Sequence, residues 1–476
     1  MKIQLINTPY LETYGSLKRI AAVYFPLGLG YIASILRENG FYEIDLFDPE
    51  AEKSNWEDIK ARITSFGAQI IGLSCVTATY PAAKKIAKLV KSINRKTLVV
   101  IGGVHASALP KETVKDCPQV DLVVVGEGEY PFLEICQKLE KKGNFNDIPG
   151  VVFRQKSKIF STPKREFILG LDKIPFPARY LVNLDNYKTP PHMDTGEKSV
   201  TLISSRGCPA QCTFCASHVV AGRRFRPHSP EYVVREIDYL QAKYGYGYFI
   251  FEDDSFTIDK ERVKKISQLL IKRKKKITWS CFGRVNTVDR STLKLMKKAG
   301  CHLIGYGIES GDQEIRRNIK KGITEEQCKK AFELSKKAGL KTQGFFMIGN
   351  PGETEKTIEK TINFAIELDP TLAFFSPLVP YPGTEIYNNL CGVHFDPSRD
   401  WADYSAFGDR LALRLHHIPS EKLKYYCFLA NRKFYWRPLY ILKRLRNLSS
   451  FAELKASFLG ASVLFSKKFL KQLTKK

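Results

Sequence analysis

Residues 206–218 read "RGCPAQCTFCASH" and put Cys208, Cys212 and Cys215 on one short loop, four and then three residues apart. The loop follows "SVTLISS", an apolar run of strand character, and Arg206-Gly207 with Pro209 supply turn chemistry. Three thiols this close suit few purposes. A disulfide framework fails on the odd count. Ordinary core cysteines are not ringed by Pro, Gln, Thr and Ser. A structural zinc ion needs a fourth ligand, for which His218 is available, yet it prefers two spaced pairs. A four-iron cluster held by three cysteines leaves one iron without a protein ligand, and that vacancy can bind a substrate.

Outward from the loop, the chain alternates strand and helix. "SVTLISSRGC", "YGYFIFEDDS", "ITWSCFGRVN", "CHLIGYGIES", "LKTQGFFMIGNP" and "LAFFSPLVPYPGT" are six strand candidates across residues 199–400, separated by helical patterns such as "SPEYVVREIDYLQAKYG". Each ends in polar or Gly-rich residues, where a βα barrel carries its chemistry. The pattern predicts a partial, six-unit (βα) barrel of the TIM type.

Residues 1–145 alternate too, with "KIQLIN", "YEIDLFD", "QIIGLSCV", "TLVVIGG" and "DLVVVGEGE" as strands. Near-continuous apolar strands between helices predict a parallel sheet covered on both faces, a doubly wound, Rossmann-like α/β domain that binds ligands at the strands' carboxyl ends. Ser74, Thr77 and Thr79 there offer hydroxyls, while Gly102, Gly103, Gly126 and Gly128 allow a backbone to approach a ligand or simply make tight turns. Residues 146–198 hold a hairpin pattern and the Pro-rich connector "KIPFPARYLVN", and are expected to form a linker.

The 476 residues imply two or three cores, and 43% hydrophobic with 26% charged residues is an ordinary globular balance. The opening stretch lacks the apolar core of a secretory signal, and no run nears 18 apolar residues. Most of the eleven cysteines, Cys75, Cys136, Cys281 and Cys301 among them, sit singly in apolar segments and read as buried free thiols. A reducing, cytoplasmic location is expected. The net charge of +26 is uneven: residues 421–476 carry fourteen Lys/Arg against Glu421 and Glu453. Residues 401–476 are read as a helical basic region, either a cap over the barrel or, through "FYWRPLYILKRLRNL" and "FLGASVLFSKKFLKQL", a peripheral contact with an anionic membrane.

The C-x3-C-x2-C loop after the first strand of a six-unit barrel resembles the radical S-adenosylmethionine (SAM) superfamily, and Phe214 matches its aromatic position before the third cysteine. With "PLGLGYIASIL", "GLSCVTATYP", "GGVHASALP", "VVVGEGEYPF" and "KIPFPAR", residues 1–400 resemble the cobalamin-binding subgroup, which includes radical methyltransferases and the anaerobic porphyrin oxidative cyclases. The resemblance implies a 4Fe-4S cluster on the three cysteines, SAM on its open iron, and cobalamin in the first domain. It implies that Glu252, Asp253 or Asp254 holds the SAM amino group and that Arg284 pairs with its carboxylate. Glu309 is then at the ribose, and Gly349 and Gly352 approach the adenine. An acidic solvated turn and a structural ion pair are the plain alternatives for the acids and for Arg284. The Asp-x-His-x-x-Gly segment whose histidine ligates cobalt in many cobalamin domains is missing, as it generally is in this subgroup. His105, alone among the first 190 residues, is read as a pocket residue.

The chemistry so implied is reductive SAM cleavage, hydrogen abstraction from an unactivated carbon of a small-molecule or lipid-like substrate, and methyl delivery from cobalamin. An electron donor such as flavodoxin or ferredoxin would drive it. Oxidative or ring-forming chemistry is the alternative within the subgroup. From another class, a zinc-containing nucleic-acid-binding protein would use the triplet and the basic tail. The tail's Tyr, Phe and Leu at helical spacing and the missing second cysteine pair argue against nucleic acid as a partner.

Overall fold

The computed structural model describes residues 1–155, 158–390, 400–408, 411–413 and 418–446. Within them a first sheet runs β1 (Ile3–Asn7), β2 (Ile44–Phe47), β3 (Ile70–Ser74), β4 (Leu98–Gly102), β5 (Leu122–Val124), β6 (Val151–Gln155) and β7 (Lys158–Ser161). Their spatial order is β2-β1-β3-β4-β5-β6-β7. The first five are parallel, and the β6–β7 hairpin adds antiparallel to β5. Alternate residues serve opposite layers, as the strand period of two dictates. Leu5, Val100 and Leu122 pack with Leu29, Leu36, Phe132 and Ile135 of helices Leu27–Glu38 and Glu129–Glu140. Ile6, Ile71, Val99 and Ile101 pack with Ile59, Ile63, Ile86 and Val90 of helices Trp56–Phe66 and Tyr80–Ile93. The sheet is therefore doubly wound, and its order reverses between β1 and β3, the point at which such folds bind ligands at the carboxyl ends.

The second sheet contains β8 (Ser199–Leu202), β11 (Tyr248–Phe251), β12 (Thr278–Gly283), β13 (Cys301–Glu309), β14 (Lys341–Ile348) and β15 (Leu372–Pro377), all parallel and in sequence order. A two-residue ladder, β9 (Ser205–Arg206) with β10 (Arg226–Pro227), brackets the cysteine loop. Phe249, Phe251, Cys281, Ile304, Tyr306, Phe346 and Phe375 face the outer helices. Tyr248, Ile250 and Leu303 close an inner cluster with Met193. That alternation defines a lumen with an apolar floor and a mouth at the strands' carboxyl ends.

Among the described residues β8 and β15 do not pair, so the barrel is open. The chain protects the β15 edge itself. Helix Ser420–Tyr435 packs on it, and the Tyr435 hydroxyl donates to Ala373 O at 2.8 Å while accepting from Ala373 N at 3.0 Å. Two free backbone groups of an edge strand are thereby satisfied. The tail's cap reading holds for this helix; "FLGASVLFSKKFLKQL" lies outside the described residues. Before the cap, Trp401 and Phe407 reach back to the first domain, where Phe407 stacks on Tyr14 with ring centres 5.1 Å apart.

Candidate functional site

The cysteine loop is held from both sides. Gly207 has φ +81°, and a Cβ there would sit 2.3 Å from Arg224 O, so only glycine fits the approach to Cys208. Asp253, fully buried after β11, accepts from Ser204 N and Ser204 Oγ at 2.7 Å each and from Ser205 Oγ, which pins the end of β8 beneath the loop. Arg262 completes the pin by donating to Ser204 O at 2.6 Å. All three cysteines are free thiols, with Cys212 buried and Cys208 and Cys215 half-buried. Burial raises the Cys208 thiol pKa and the Arg284 guanidinium opposes that rise. The same guanidinium lies 3.8 Å from Cys212 Sγ.

Among the described residues no three His, Cys, Asp or Glu side chains come together as a preformed metal site. His218 turns Nδ1 back onto Cys215 O at 2.9 Å. Three separate thiols beside a fixed positive charge, on a half-open loop, fit an anionic multi-iron cluster with one iron left exposed.

The barrel mouth collects the other predicted residues at different depths. Phe214 lies beside the loop with the Lys321 ammonium 5.8 Å from its ring centre. Glu309 follows a register shift at the end of β13 and holds φ +69°, a conformation costly for a side-chain-bearing residue. Its carboxylate pairs with Lys321 Nζ at 2.7 Å, and a side chain on Gly307 would collide with both. The bulge thus aims Glu309 across the mouth. Arg284 donates to Lys321 O, so Cys212, Arg284, Lys321, Glu309 and Phe214 form one connected wall.

Asp254 is exposed at the mouth. Glu252, by the period of two, continues the inward row of Tyr248 and Ile250 and has no side-chain partner among the described residues. Burial, and then the neighbouring Asp253 charge, push Glu252 up to about 7. Tyr24, from the segment after β1, is raised by burial and by the Glu252 carboxylate. Gly349 and Gly352 both hold positive φ, but a side chain at Gly349 would meet Leu413 and Leu423 of the tail. The tail therefore packs directly on that loop. Glu353, absent from the sequence reading, receives Gly349 N and Asn350 N and fixes its shape.

Below the mouth the lumen is aromatic. Phe345 and Phe374 stack with centres 5.2 Å apart, Phe282 tilts against Phe345 at 5.8 Å, and His192 tilts against Phe374 at 5.0 Å. Gly305 makes room for them, since its Cβ would fall 2.6 Å from Phe282. Gln343 is buried on the same inner row with Nε2 unpaired among the described residues.

In the first domain the predicted loops lie side by side at the strand ends. Thr79 Oγ1 accepts from Thr8 Oγ1 at 2.8 Å and from Val76 N at 3.1 Å, so its hydroxyl shapes the β3 loop. Ser74 passes its carbonyl to Thr8, and Thr77 is buried. Gly103 at φ +102° lies so close to Cys75 that a Cβ would be 2.3 Å from the Cys75 carbonyl oxygen. Gly102 has no such crowding, and Gly128 sits against Ile32. Gly126, at φ +85°, donates its N–H to Ser107 Oγ at 3.0 Å.

His105 stacks on Tyr80 at 4.1 Å and meets the edge of Trp401 at 4.9 Å. Burial lowers it to about 3, and Nδ1 has no partner, so the ring is a neutral wall. Val76, which no sequence signal singles out, is exposed at 51% on this rim. Glycine backbone and the exposed Val76 at the strand ends suit a large amphipathic ligand, whereas Thr77, Thr79 and His105 are buried.

Two family models match this division: "B12 binding domain" over residues 17–136 and "Radical SAM superfamily" over residues 202–365. "Uncharacterized methyltransferase PH0819" of Pyrococcus horikoshii is 36% identical over 444 residues, 93% of this chain and 94% of its own. The anaerobic magnesium-protoporphyrin IX monomethyl ester cyclase of Rubrivivax gelatinosus is 28% identical, over 78% of this chain and 67% of its own. The cobalamin-dependent SAM radical enzyme OxsB superposes with a TM-score of 0.76 at 17% identity, covering 99% of this chain and 74% of that one. The radical SAM methyltransferase TsrM of Kitasatospora setae gives 0.70 at 17%, covering 92% and 90%.

The fold and the cysteine loop thus define a radical SAM enzyme. The chain belongs to the cobalamin-dependent radical SAM methyltransferase family, and its cofactors are a 4Fe-4S cluster, SAM and cobalamin.

Proposed function

We propose that the enzyme methylates an unactivated carbon of a small, largely apolar or lipid-like substrate held between the two modules. The observation that carries this reading is the aromatic lumen, Phe282, Phe345, Phe374 and His192, beneath a mouth where Glu252 has no side-chain partner among the described residues. The bound cofactors supply an adenosyl radical on the barrel side and a methyl group on the first-domain side. Cys208, Cys212 and Cys215 would hold the cluster, and Arg284 would offset its negative charge. Arg284 and Asp254 also offer a cation and an anion to the two charged ends of SAM, with Glu309 and Lys321 across the mouth at its ribose. The loops carrying Ser74, Thr77, Thr79, Gly102, Gly103, Gly126 and Gly128, with His105 as a neutral wall, cradle the cobalamin. Tyr14, Phe407 and Tyr24 cover the space between and exclude water, which protects a carbon radical from competing reactions. Glu252, near neutrality, accepts a hydrogen bond from a substrate hydroxyl or amine and so orients the carbon.

The reductant in the cytoplasm is a flavodoxin or ferredoxin. No described helix is long and apolar enough to cross a membrane. Helix Pro438–Arg446 nonetheless exposes Leu439, Ile441, Leu442 and Leu445 beside Lys443, Arg444 and Arg446, the composition of a peripheral anionic-membrane contact. Loss of anionic-liposome co-sedimentation on deleting residues 430–476 is expected; unchanged co-sedimentation rejects the contact.

Function is tested with reconstituted enzyme, methyl-labelled SAM and fractionated cell extract. Label entering an organic-extractable product supports the reading. A product two hydrogens lighter and carrying no label would support the oxidative or ring-forming alternative instead.

A further inference from the structure

The loop "VGEGEY" carries Glu127 and Glu129 beside its glycines, and Arg206 opens the cysteine loop. The structure joins them. Arg206, two residues before Cys208, donates from one nitrogen to Glu127 Oε1 at 2.8 Å and from the other to Glu129 Oε1 at 2.6 Å, while its guanidinium lies 5.2 Å from the Tyr31 ring centre. Arg226, its partner across the β9–β10 ladder, grips both Glu127 oxygens at 2.9 and 3.0 Å and donates to Ala221 O and Ile168 O. Ile168 N returns a bond to Glu127 Oε2 at 2.9 Å. All four charged side chains are nearly inaccessible, between 2% and 11% exposed.

The two acids belong to the first domain and the two arginines to the strands bracketing the cysteine loop. Burying four charges is a poor way to gain stability, because apolar residues of like volume do as well or better. What forked, charge-assisted pairs supply is a fixed distance and angle. Here they fix the β5 loop against the cysteine loop. Each loop carries a left-handed glycine next to its charged residue, Gly126 before Glu127 and Gly207 after Arg206, so the path on either side is set by backbone that only glycine adopts readily. A further contact runs alongside, where Gly383, Val219 and Ala108 meet closely enough that a Cβ on Gly383 would lie 2.8 Å from Val219.

We propose that Glu127 and Glu129 are positioning residues that couple the first domain's β5 loop to the cluster loop through Arg206 and Arg226, so that each cofactor binds more tightly when the other is present. The proposal rests on the assignment of the β5 loop to cobalamin. Coupling between sites is reciprocal, so either affinity reports it.

The test titrates hydroxocobalamin, followed by its absorbance, into cluster-loaded protein and into the same protein stripped of iron by a chelator. The loaded wild type is expected to bind about five-fold or more tightly than the stripped form. In Glu129→Gln the two affinities should converge to within about two-fold. Arg206→Lys keeps the charge but loses the fork, and should shrink the ratio likewise. Equal affinities in the wild type overturn the proposal even if both variants fail to fold, and so does an undiminished ratio in a variant whose circular dichroism matches the wild type. No binding of hydroxocobalamin to either form overturns the cobalamin assignment itself.

Discussion

The two modules of this chain present unlike surfaces at the ends of their strands. The barrel mouth presents side chains: three thiols, the Arg284 guanidinium, the Glu309–Lys321 pair and the Glu252 carboxyl. The first domain presents backbone, with Gly103 pressed on Cys75 and Gly126 tied to Ser107, while the Thr8 and Thr79 hydroxyls are spent on shaping loops. A cluster needs covalent donors at fixed points, whereas a large amphipathic ring system needs a surface from which side chains have been removed. The contrast forecasts unlike responses to mutation. In the barrel, losing one atom should abolish a function; in the first domain, gaining one should.

Cys212→Ala is the largest test. Iron incorporation and 5'-deoxyadenosine formation under reductant should fall more than about 100-fold, while hydroxocobalamin binding persists. Loss of both cofactors at once would break the idea of two separable modules.

Gly103→Ala comes next. A methyl 2.3 Å from the Cys75 carbonyl oxygen, at φ +102°, forces the β3 and β4 loops apart. A stability loss of about 1–3 kcal/mol and weaker cobalamin uptake are expected, with 5'-deoxyadenosine formation retained. Normal cobalamin affinity in this variant would show that the ligand does not read that surface.

Glu252→Gln sharpens the barrel side through pH. The Glu252 carboxyl stands at about 7 in the fold against 4.5 unfolded, so the native state holds the proton more tightly. Its contribution is full below pH 4.5 and is lost as pH rises through 7. Thermal melts should therefore show the variant gaining on the wild type by on the order of 1 kcal/mol between pH 5 and 8. A difference independent of pH would mean that Glu252 is not held in an apolar lumen.

Tyr435→Phe is the smallest. It removes two hydrogen bonds from the helix-covered edge of β15 and should lower stability by about 1 kcal/mol, with cofactor content unchanged.

Both sheets were legible because every strand carried its own period and ended on its own loop; all six barrel strands and the five parallel strands of the first domain form where the pattern put them. The cysteine triplet stood out for a chemical reason, since thiols in a polar loop have few uses. What escaped were residues whose role depends on a partner distant in sequence. Glu127 meets Arg206 across 79 residues, and Lys321 meets Arg284 across 37. Asp253 illustrates the converse. Its place beside Glu252 and Asp254 suggested three equivalent acids, yet strand alternation turns Glu252 into the lumen and Asp253 into the serines beneath the cysteine loop. A signal for Glu127 was present: an acid between two glycines, beside an apolar strand, has no solvent-facing reason to be there.

The central claim is that one chain presents a cluster and a cobalamin to the same chamber. The most direct measurement is anaerobic reconstitution with iron, sulfide and hydroxocobalamin, followed by analysis of the purified protein. The account predicts about four irons, four sulfides and one cobalamin per chain, with 5'-deoxyadenosine released when SAM and a reductant are added. A chain that takes up zinc but no iron, or a cluster but no cobalamin, would contradict it.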